Sequence, residues 1–180
     1  MFRRYYPYAR VTGVFDIDYK KLYEDGFRGI IFDIDNTLVH HGDDSTPEVD
    51  ALFEKLCEIG FSTVLLSNNT EERILRFIKN IDVPFIHEAD KPQPDGFKKA
   101  LELLGTASDK TLCIGDQIFT DIYGANKCDI PSILVDYIRV PYERKKGIKR
   151  RIEEILLFFY KMNRQCYNRL GNINITEECP

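Results

Sequence analysis

Short apolar runs alternate with amphipathic stretches along most of the chain, and this alternation constrains the fold more than any other feature. Five runs have the length and composition of buried strands: residues 29–33, 61–66, 83–87, 111–115 and 132–135. The segments between them have room for helices. Strands that alternate with helices in this way form right-handed βαβ units around a parallel sheet. The pattern therefore predicts a doubly wound α/β domain with a parallel sheet of about five strands.

Capping residues mark the ends of the predicted helices. Thr46 followed by Pro47 is typical of a helix start, and Gly60 is typical of a helix end. Similar signals place helices at residues 70–79, 94–105 and 118–127. We expect one domain over residues 1–180, with its core at about residues 28–136. Residues 1–27 would form a lead-in, and residues 147–162 a basic amphipathic helix.

The composition indicates a protein of the cytoplasm. The longest apolar run, at residues 155–160, is far shorter than the roughly 20 residues that a membrane-spanning helix needs. The first residues lack the apolar stretch of a secretory signal. The five cysteines are scattered without a Cys-x-x-Cys pair, which favours reduced thiols over a disulfide scaffold or a zinc site.

The charge is unevenly distributed along the chain. Residues 139–169 contain ten Lys or Arg and three Glu, and so carry +7, whereas the whole chain carries −4. Within that region Ile148, Ile152, Ile155, Leu156 and Phe159 form an apolar helical stripe. Two interpretations remain open: the stripe packs on the sheet, or the helix lies on the anionic inner face of a membrane. The acidic overall charge gives no reason to expect a nucleic-acid partner.

Polar side chains follow four of the predicted strands at the point where each strand ends. They are Asp33, Asp35 and Thr37 after the first strand, Ser67 and Asn68 after the second, Lys91 after the third, and Asp116 and Asp121 after the fourth. Taken singly, each group is typical of an ordinary turn or helix cap. Because ligands bind beyond the carboxyl ends of parallel strands, the four groups together predict one functional site.

The chemistry of these residues indicates phosphate transfer. Converging carboxylates repel one another unless a hard cation such as Mg²⁺ neutralises them. That cation, the Lys91 ammonium and the Ser67 hydroxyl would form a cradle for a phosphate group. One carboxylate beside the phosphate can then attack phosphorus, and a second can protonate the leaving oxygen and later activate water.

The order of these motifs resembles that of the haloacid dehalogenase (HAD) superfamily of phosphotransferases. The resemblance is carried by Asp33-Ile-Asp-Asn-Thr37, Ser67, Lys91 and Gly115-Asp-Gln-Ile-Phe-Thr-Asp121, and it covers about residues 28–136. In detail the chain is similar to the YqeG family of class IIIA members, through residues 30–39, 91–92 and 115–126. That family is related to phosphatases that act on phosphatidylglycerophosphate.

The resemblance implies a role for each candidate residue. Asp33 would be the nucleophile and Asp35 the general acid and base. Asp33, the backbone carbonyl of Asp35, and Asp116 would hold Mg²⁺. The remaining roles are those of phosphate-binding residues, Ser67, Asn68 and Lys91, and of supporting residues, Thr37 and Asp121.

Spacing predicts a site without a cap domain. Between Thr37 and Ser67, and again between Ser67 and Lys91, the chain has room for one helix and one strand only. Capless members of the superfamily commonly act on large phosphates. We therefore predict a Mg²⁺-dependent phosphomonoester hydrolase with an aspartyl-phosphate intermediate and phosphatidylglycerophosphate as substrate.

Three questions stay open at this point. The substrate could instead be a soluble phosphosugar, a nucleotide or a phosphoprotein. The chain could also be a phospho-ligand-binding scaffold or regulator with weak catalysis. His40 and His41, which follow the first motif, are either exposed loop residues or contacts to the substrate.

Overall fold

The centre of the molecule is a sheet of six parallel strands. The computed structural model describes residues 2–138 and 147–175. The strands are β1 (Ala9–Val11), β2 (Gly29–Phe32), β3 (Ser62–Leu66), β4 (Phe85–Ile86), β5 (Thr111–Gly115) and β6 (Ser132–Val135), in the spatial order β1-β6-β5-β2-β3-β4. The predicted α/β fold with a doubly wound parallel sheet is confirmed.

The sixth strand, β1, lies in the segment that we expected to be a lead-in. Ala9 and Val11 pair in parallel register with Ile133 and Val135 of β6 at the edge of the sheet. Only three residues pair, and Arg10 between them is exposed. A run this short lacks the length from which a strand can be inferred by alternation, so the sequence pattern missed it.

In the described residues, six α-helices accompany the strands: α1 (Tyr19–Glu24), α2 (Pro47–Ile59), α3 (Glu71–Phe77), α4 (Pro94–Leu104), α5 (Tyr123–Lys127) and α6 (Ile148–Met162). The predicted caps of α2 are confirmed. The Thr46 hydroxyl accepts a hydrogen bond from the Val49 amide, and Gly60 ends the helix with a φ of 106°, which other residues rarely adopt.

The predicted helix at residues 118–127 is divided. Ile118–Ile122 forms a π-helical turn, and the α-helical geometry begins only at Tyr123. The Ile122 amide donates to the carbonyl of Gln117, five residues earlier. The Asp121 carboxylate also turns back to accept a hydrogen bond from the Gln117 amide. Turns of this type are frequent at functional sites, and this one carries a candidate site residue.

Apolar side chains cover both faces of the sheet. In β2, Ile30 and Phe32 belong to the core layer under α1, α2 and α3, whereas Ile31 belongs to the layer under α4 and α5. The alternation follows from the two-residue period of a strand. Because both faces are covered by helices, ligands have access to this sheet chiefly at the ends of its strands.

The C-terminal helix α6 packs mainly through residues outside the predicted stripe, of which Leu156 alone belongs to a packed cluster among the described residues. Tyr160 and Glu153 are buried, and Leu156 packs beside the π-helical turn. The stripe residues Ile148 and Ile155 are 79% and 57% exposed. Packing of the whole stripe on the sheet is therefore excluded for these described residues. No helix in the described parts of the chain is both long and apolar enough to cross a membrane.

Candidate active site

The predicted residues lie together at the C-terminal ends of the strands. Asp33 directly follows β2, Ser67 directly follows β3, and Asp116 directly follows β5. Parallel pairing of β2 with β3 and β5 places these three positions side by side. Lys91, from the loop after β4, reaches the same point through its long side chain.

Lys91 links two carboxylates in the interior. Its Nζ lies 2.6 Å from Asp33 Oδ1 and 2.7 Å from Asp121 Oδ1, and its side chain is only 4% exposed. Burial alone would lower the pKa of Lys91, but the charges of Asp121 and Asp33 outweigh burial and raise it. The ammonium group therefore stays charged.

Asp33 is the most accessible of the clustered carboxylates. Its Oδ2 accepts a hydrogen bond from the Thr37 hydroxyl at 3.0 Å, and its Oδ1 accepts one from Lys91. Burial raises the pKa of Asp33 most, Lys91 opposes that effect, and the charge of Asp121 raises the pKa further. A further positive charge close to Asp33 would therefore stabilise its ionised form.

Three carboxylates converge beside Lys91. Oxygens of Asp33, Asp116 and Asp121 lie within 4.8 Å of one another. Burial and the charges of Asp121 and Asp33 raise the pKa of Asp116. Asp116 Oδ1 is buried and has no hydrogen-bond partner among the described residues. Since oxygen ligands and net negative charge suit a hard divalent cation, the residues present fit a site for such a cation.

The Asp35 side chain lies outside this cluster, so the carboxylate itself is not placed with the metal ligands. It accepts hydrogen bonds from Asn69 Nδ2 at 2.7 Å and Arg73 Nη2 at 2.9 Å, and His41 Nδ1 lies 3.0 Å away. Burial would raise the pKa of Asp35, but hydrogen bonds from Asn69 and the Gly42 amide and the electrostatic interactions with Arg73 and His41 lower it overall.

Arg73 is a site residue that the sequence analysis missed. Besides Asp35, its Nη2 binds the carbonyl of Asp43 at 2.6 Å, and Arg76 binds the carbonyl of Gly42 at 2.6 Å. The loop after β2 is thus fastened to α3. His40 lies in the same loop, with its Nδ1 3.9 Å from Asp43 Oδ2. A surface helix ordinarily carries arginines, so no local pattern distinguished Arg73.

Asn68 lies beside Lys91, and both polar atoms of its side chain bind the Lys91 backbone. Its Oδ1 accepts a hydrogen bond from the Lys91 amide at 2.7 Å, and its Nδ2 donates to the Lys91 carbonyl at 3.2 Å. The side chain therefore braces the backbone of Lys91, and the predicted phosphate-binding role of Asn68 stays a prediction. Ser67 is buried, and its Oγ accepts a hydrogen bond from the Asn69 amide, which leaves the hydroxyl proton available.

Gly115 is required by the close approach of Asp121. A Cβ added at Gly115 would lie 2.5 Å from the Asp121 Cβ, and no real pair of such atoms comes that close. The glycine at the end of β5 therefore lets the π-helical turn fold back over the strand. This contact explains why the fourth motif begins with glycine and ends with an aspartate six residues later.

Two residues of α6 also reach the site, and the sequence analysis missed both. Arg150 pairs with Asp116 Oδ2 and donates to the Asp116 carbonyl. Glu153 accepts a hydrogen bond from the Ile118 amide at 2.8 Å. In sequence, Arg150 belongs to an ordinary basic helix face.

Within residues 29–138, no inserted domain covers the C-terminal ends of the strands. Residues 29–138, all of which the structure describes, contain only the strands, helices and connecting turns of the sheet itself. The predicted absence of a cap domain is confirmed over this range.

Comparison with known proteins gives consistent results. A family model described as "HAD-hyrolase-like" matches residues 88–137. The chain is 33% identical over 165 residues to "Probable phosphatase YqeG" of Bacillus subtilis (strain 168), covering 91% of this chain and 88% of that protein.

Two solved structures share the fold. An uncharacterized protein from Listeria monocytogenes serotype 4b is 20% identical, with a TM-score of 0.52 over 75% of this chain and 99% of that one. NagD from E. coli K-12 is 13% identical, with a TM-score of 0.53 over 67% of this chain and 94% of that one. At these identities the two structures support the fold alone.

Proposed function

The chain belongs to the YqeG family of HAD-like hydrolases, and on that premise we propose that it is a Mg²⁺-dependent phosphatase for phosphomonoesters. The observation that carries the proposal is the buried cluster of Asp33, Asp116 and Asp121 with Lys91 among them. A cluster with three carboxylates and one ammonium is suited to a cation and a phosphate together. The absence of an inserted domain within residues 29–138 supports a phosphate that is part of a large molecule.

Asp33 would begin the reaction as a nucleophile. One of its oxygens attacks phosphorus, the bond from phosphorus to the leaving oxygen breaks, and an aspartyl phosphate forms. The leaving oxygen takes a proton from Asp35 in its acid form. Lys91 and the Ser67 hydroxyl neutralise and orient the phosphoryl oxygens.

Water would complete the reaction. Asp35, now a carboxylate, takes a proton from the water that attacks phosphorus, and the bond between phosphorus and Asp33 breaks to release orthophosphate. The hydrogen bonds from Asn69 and Arg73 favour this carboxylate form. Asp33, Asp116 and the backbone carbonyl of Asp35 would hold Mg²⁺, which when bound supplies positive charge to the phosphoryl group.

Release of orthophosphate tests this function directly. We expect the wild-type protein to release phosphate from phosphatidylglycerophosphate in detergent micelles with Mg²⁺, and to stop when EDTA is added in excess. Addition of Mg²⁺ beyond the EDTA should restore the rate. Activity that is unchanged in EDTA would contradict the metal dependence. Phosphate binding without turnover on lipid, sugar, nucleotide and protein phosphates would favour the scaffold alternative.

A lipid phosphate is the substrate that we propose, and the surface of α6 supports it. The α6 seam, which we define as Ile148, Ile152, Ile155, Phe159 and Met162, repeats with spacings of four and three residues, and all five side chains are exposed. An exposed apolar stripe of this kind fits the interface of a membrane.

The charge around the α6 seam selects an anionic surface as its partner. From residue 147 to residue 164 the chain has five Lys or Arg and two Glu. Arg150 and Glu153 pair with each other and with the site. The remaining charges are mostly positive, so a second copy of the helix would be repelled, whereas anionic lipid would be attracted by about 1 kcal/mol per basic residue near the surface.

Vesicle binding tests this membrane contact. We expect the wild-type protein to co-sediment with vesicles containing phosphatidylglycerol more strongly than with neutral phosphatidylcholine vesicles. The double variant Ile152→Glu/Phe159→Glu should bind about tenfold more weakly, because two charges replace apolar side chains of the seam. Leu103→Glu, an exposed leucine on α4, is the matched control. Equal binding by the double variant and the control would contradict the contact and leave the phosphatase standing.

A further inference from the structure

Helix α6 contributes a second cation to the carboxylate cluster. Arg150 Nη1 donates to the Asp116 carbonyl at 2.6 Å, and its Nη2 pairs with Asp116 Oδ2. Arg150 therefore holds Asp116 by its side chain and by its backbone at once. The contact joins residues 34 positions apart, from an element outside the sheet and the four motifs.

The two oxygens of Asp116 have different surroundings. Oδ2 is held by Arg150, whereas Oδ1 is buried without a partner among the described residues. The Asp116 carboxylate belongs to the cluster with Asp33 and Asp121. A planar guanidinium bound to one oxygen and to the carbonyl of the same residue fixes the rotation of the carboxylate. The unpartnered oxygen Oδ1 is then available to a cation.

Glu153 holds the start of the π-helical turn, two residues after Asp116. It is buried, accepts a hydrogen bond from the Ile118 amide at 2.8 Å and another from Arg150 Nη1 at 3.1 Å. Ile118 begins the π-helical turn that carries Asp121. Arg150 and Glu153 thus hold both sides of the segment between Asp116 and Ile118.

We propose that Arg150 is a positioning residue for the metal centre, so that α6 is a part of the site that its distance in sequence conceals. The proposal rests on the proposed function, since it concerns the cation of that site. Its physical basis is twofold. Arg150 orients Asp116, and it offsets part of the repulsion among the three carboxylates, which Lys91 alone does not balance.

The contact has a rival explanation that makes the opposite prediction. If Arg150 only takes the place of the cation, it competes with the metal, and removing it should tighten metal binding. If Arg150 positions Asp116, removing it should weaken metal binding. Partners that orient a metal ligand typically change affinity by about 10–100-fold when they are removed.

Calorimetric titration of the full chain with Mg²⁺, and separately with Mn²⁺, distinguishes the two. We expect Arg150→Met to raise the dissociation constant at least about tenfold and Arg150→Lys to raise it less, because lysine keeps the charge without the planar fork. Arg151→Met, the same change at the exposed neighbouring position, should bind the metal as the wild type does. The increase in melting temperature on adding Mg²⁺ should be smallest for Arg150→Met and intermediate for Arg150→Lys. For Arg151→Met it should equal that of the wild type.

Each outcome bears on a separate claim. Unchanged or tighter binding by Arg150→Met overturns the positioning role and leaves the phosphatase intact. Absence of metal binding by the wild type overturns the proposed function itself. If Arg150→Met does not fold, Arg150→Lys and Glu153→Gln carry the test, and wild-type affinity in both would overturn the proposal.

Discussion

Replacing Asp33 with Asn is expected to abolish phosphate release, with a loss of at least about 10³-fold in kcat. An amide of the same shape cannot attack phosphorus. No other carboxylate of the cluster takes its place, because the side chain of Asp33 is 12% exposed whereas those of Asp121 and Asp116 are 2% and 0% exposed. The measurement is orthophosphate release under saturating Mg²⁺, with the wild type beside it. A variant that keeps wild-type turnover would contradict the nucleophile.

The melting temperature of Asp33→Asn shows whether its loss of activity comes from unfolding. Burial and the charge of Asp121 raise the pKa of Asp33, so keeping its carboxylate ionised at neutral pH costs the folded protein stability relative to the unfolded chain. An uncharged Asn removes that penalty, and the melting temperature in EDTA should be no lower than that of the wild type. Asp109→Asn changes an exposed carboxylate just before β5, at the N-terminal ends of the strands and away from the site. It should change neither activity nor stability.

The parts of the site that sequence could predict are those that follow a strand directly. Asp33, Ser67 and Asp116 each come after an apolar run that forms a strand, so the topology of the sheet alone brings them together. Their chemistry then suggests the cation and the phosphate. The caps at Thr46 and Gly60 were predictable for a similar reason, because each depends on neighbouring residues only.

The parts that could not be predicted depend on contacts between distant elements. Arg73 reaches Asp35 across 38 positions, and Arg150 reaches Asp116 across 34. Neither arginine differs in its local pattern from an ordinary exposed residue. Asn68 shows the same limit at short range, since its position was predicted and the direction of its side chain was not.

Helix α6 shows why an amphipathic pattern alone does not decide which face is buried. The usual expectation is that the apolar stripe packs inward. Here the adjoining surface includes the charged turn after β5, and Arg150, Glu153 and Tyr160 face inward instead. Polar partners on both sides make that arrangement stable, and the seam of the helix remains outside.

Replacing Lys91 with Met is expected to destabilise the metal-free protein strongly, by about 3–5 kcal/mol in free energy of unfolding. The Lys91 ammonium is 4% exposed and lies between Asp33 and Asp121. Its removal leaves two carboxylates facing each other in the interior without the charge between them. Urea unfolding in EDTA measures the loss, and Lys99→Met, an exposed lysine on α4, is the control.

The double variant Lys91→Met/Asp121→Asn decides whether charge is the cause. Because the amide carries no charge, the repulsion with Asp33 disappears, and most of the lost stability should return. Mg²⁺ should also stabilise the single variant more than it stabilises the wild type, since the cation supplies the charge that Lys91 no longer provides. A double variant as unstable as the single one would show instead that the lysine stem, rather than its charge, holds the turn after β5 in place.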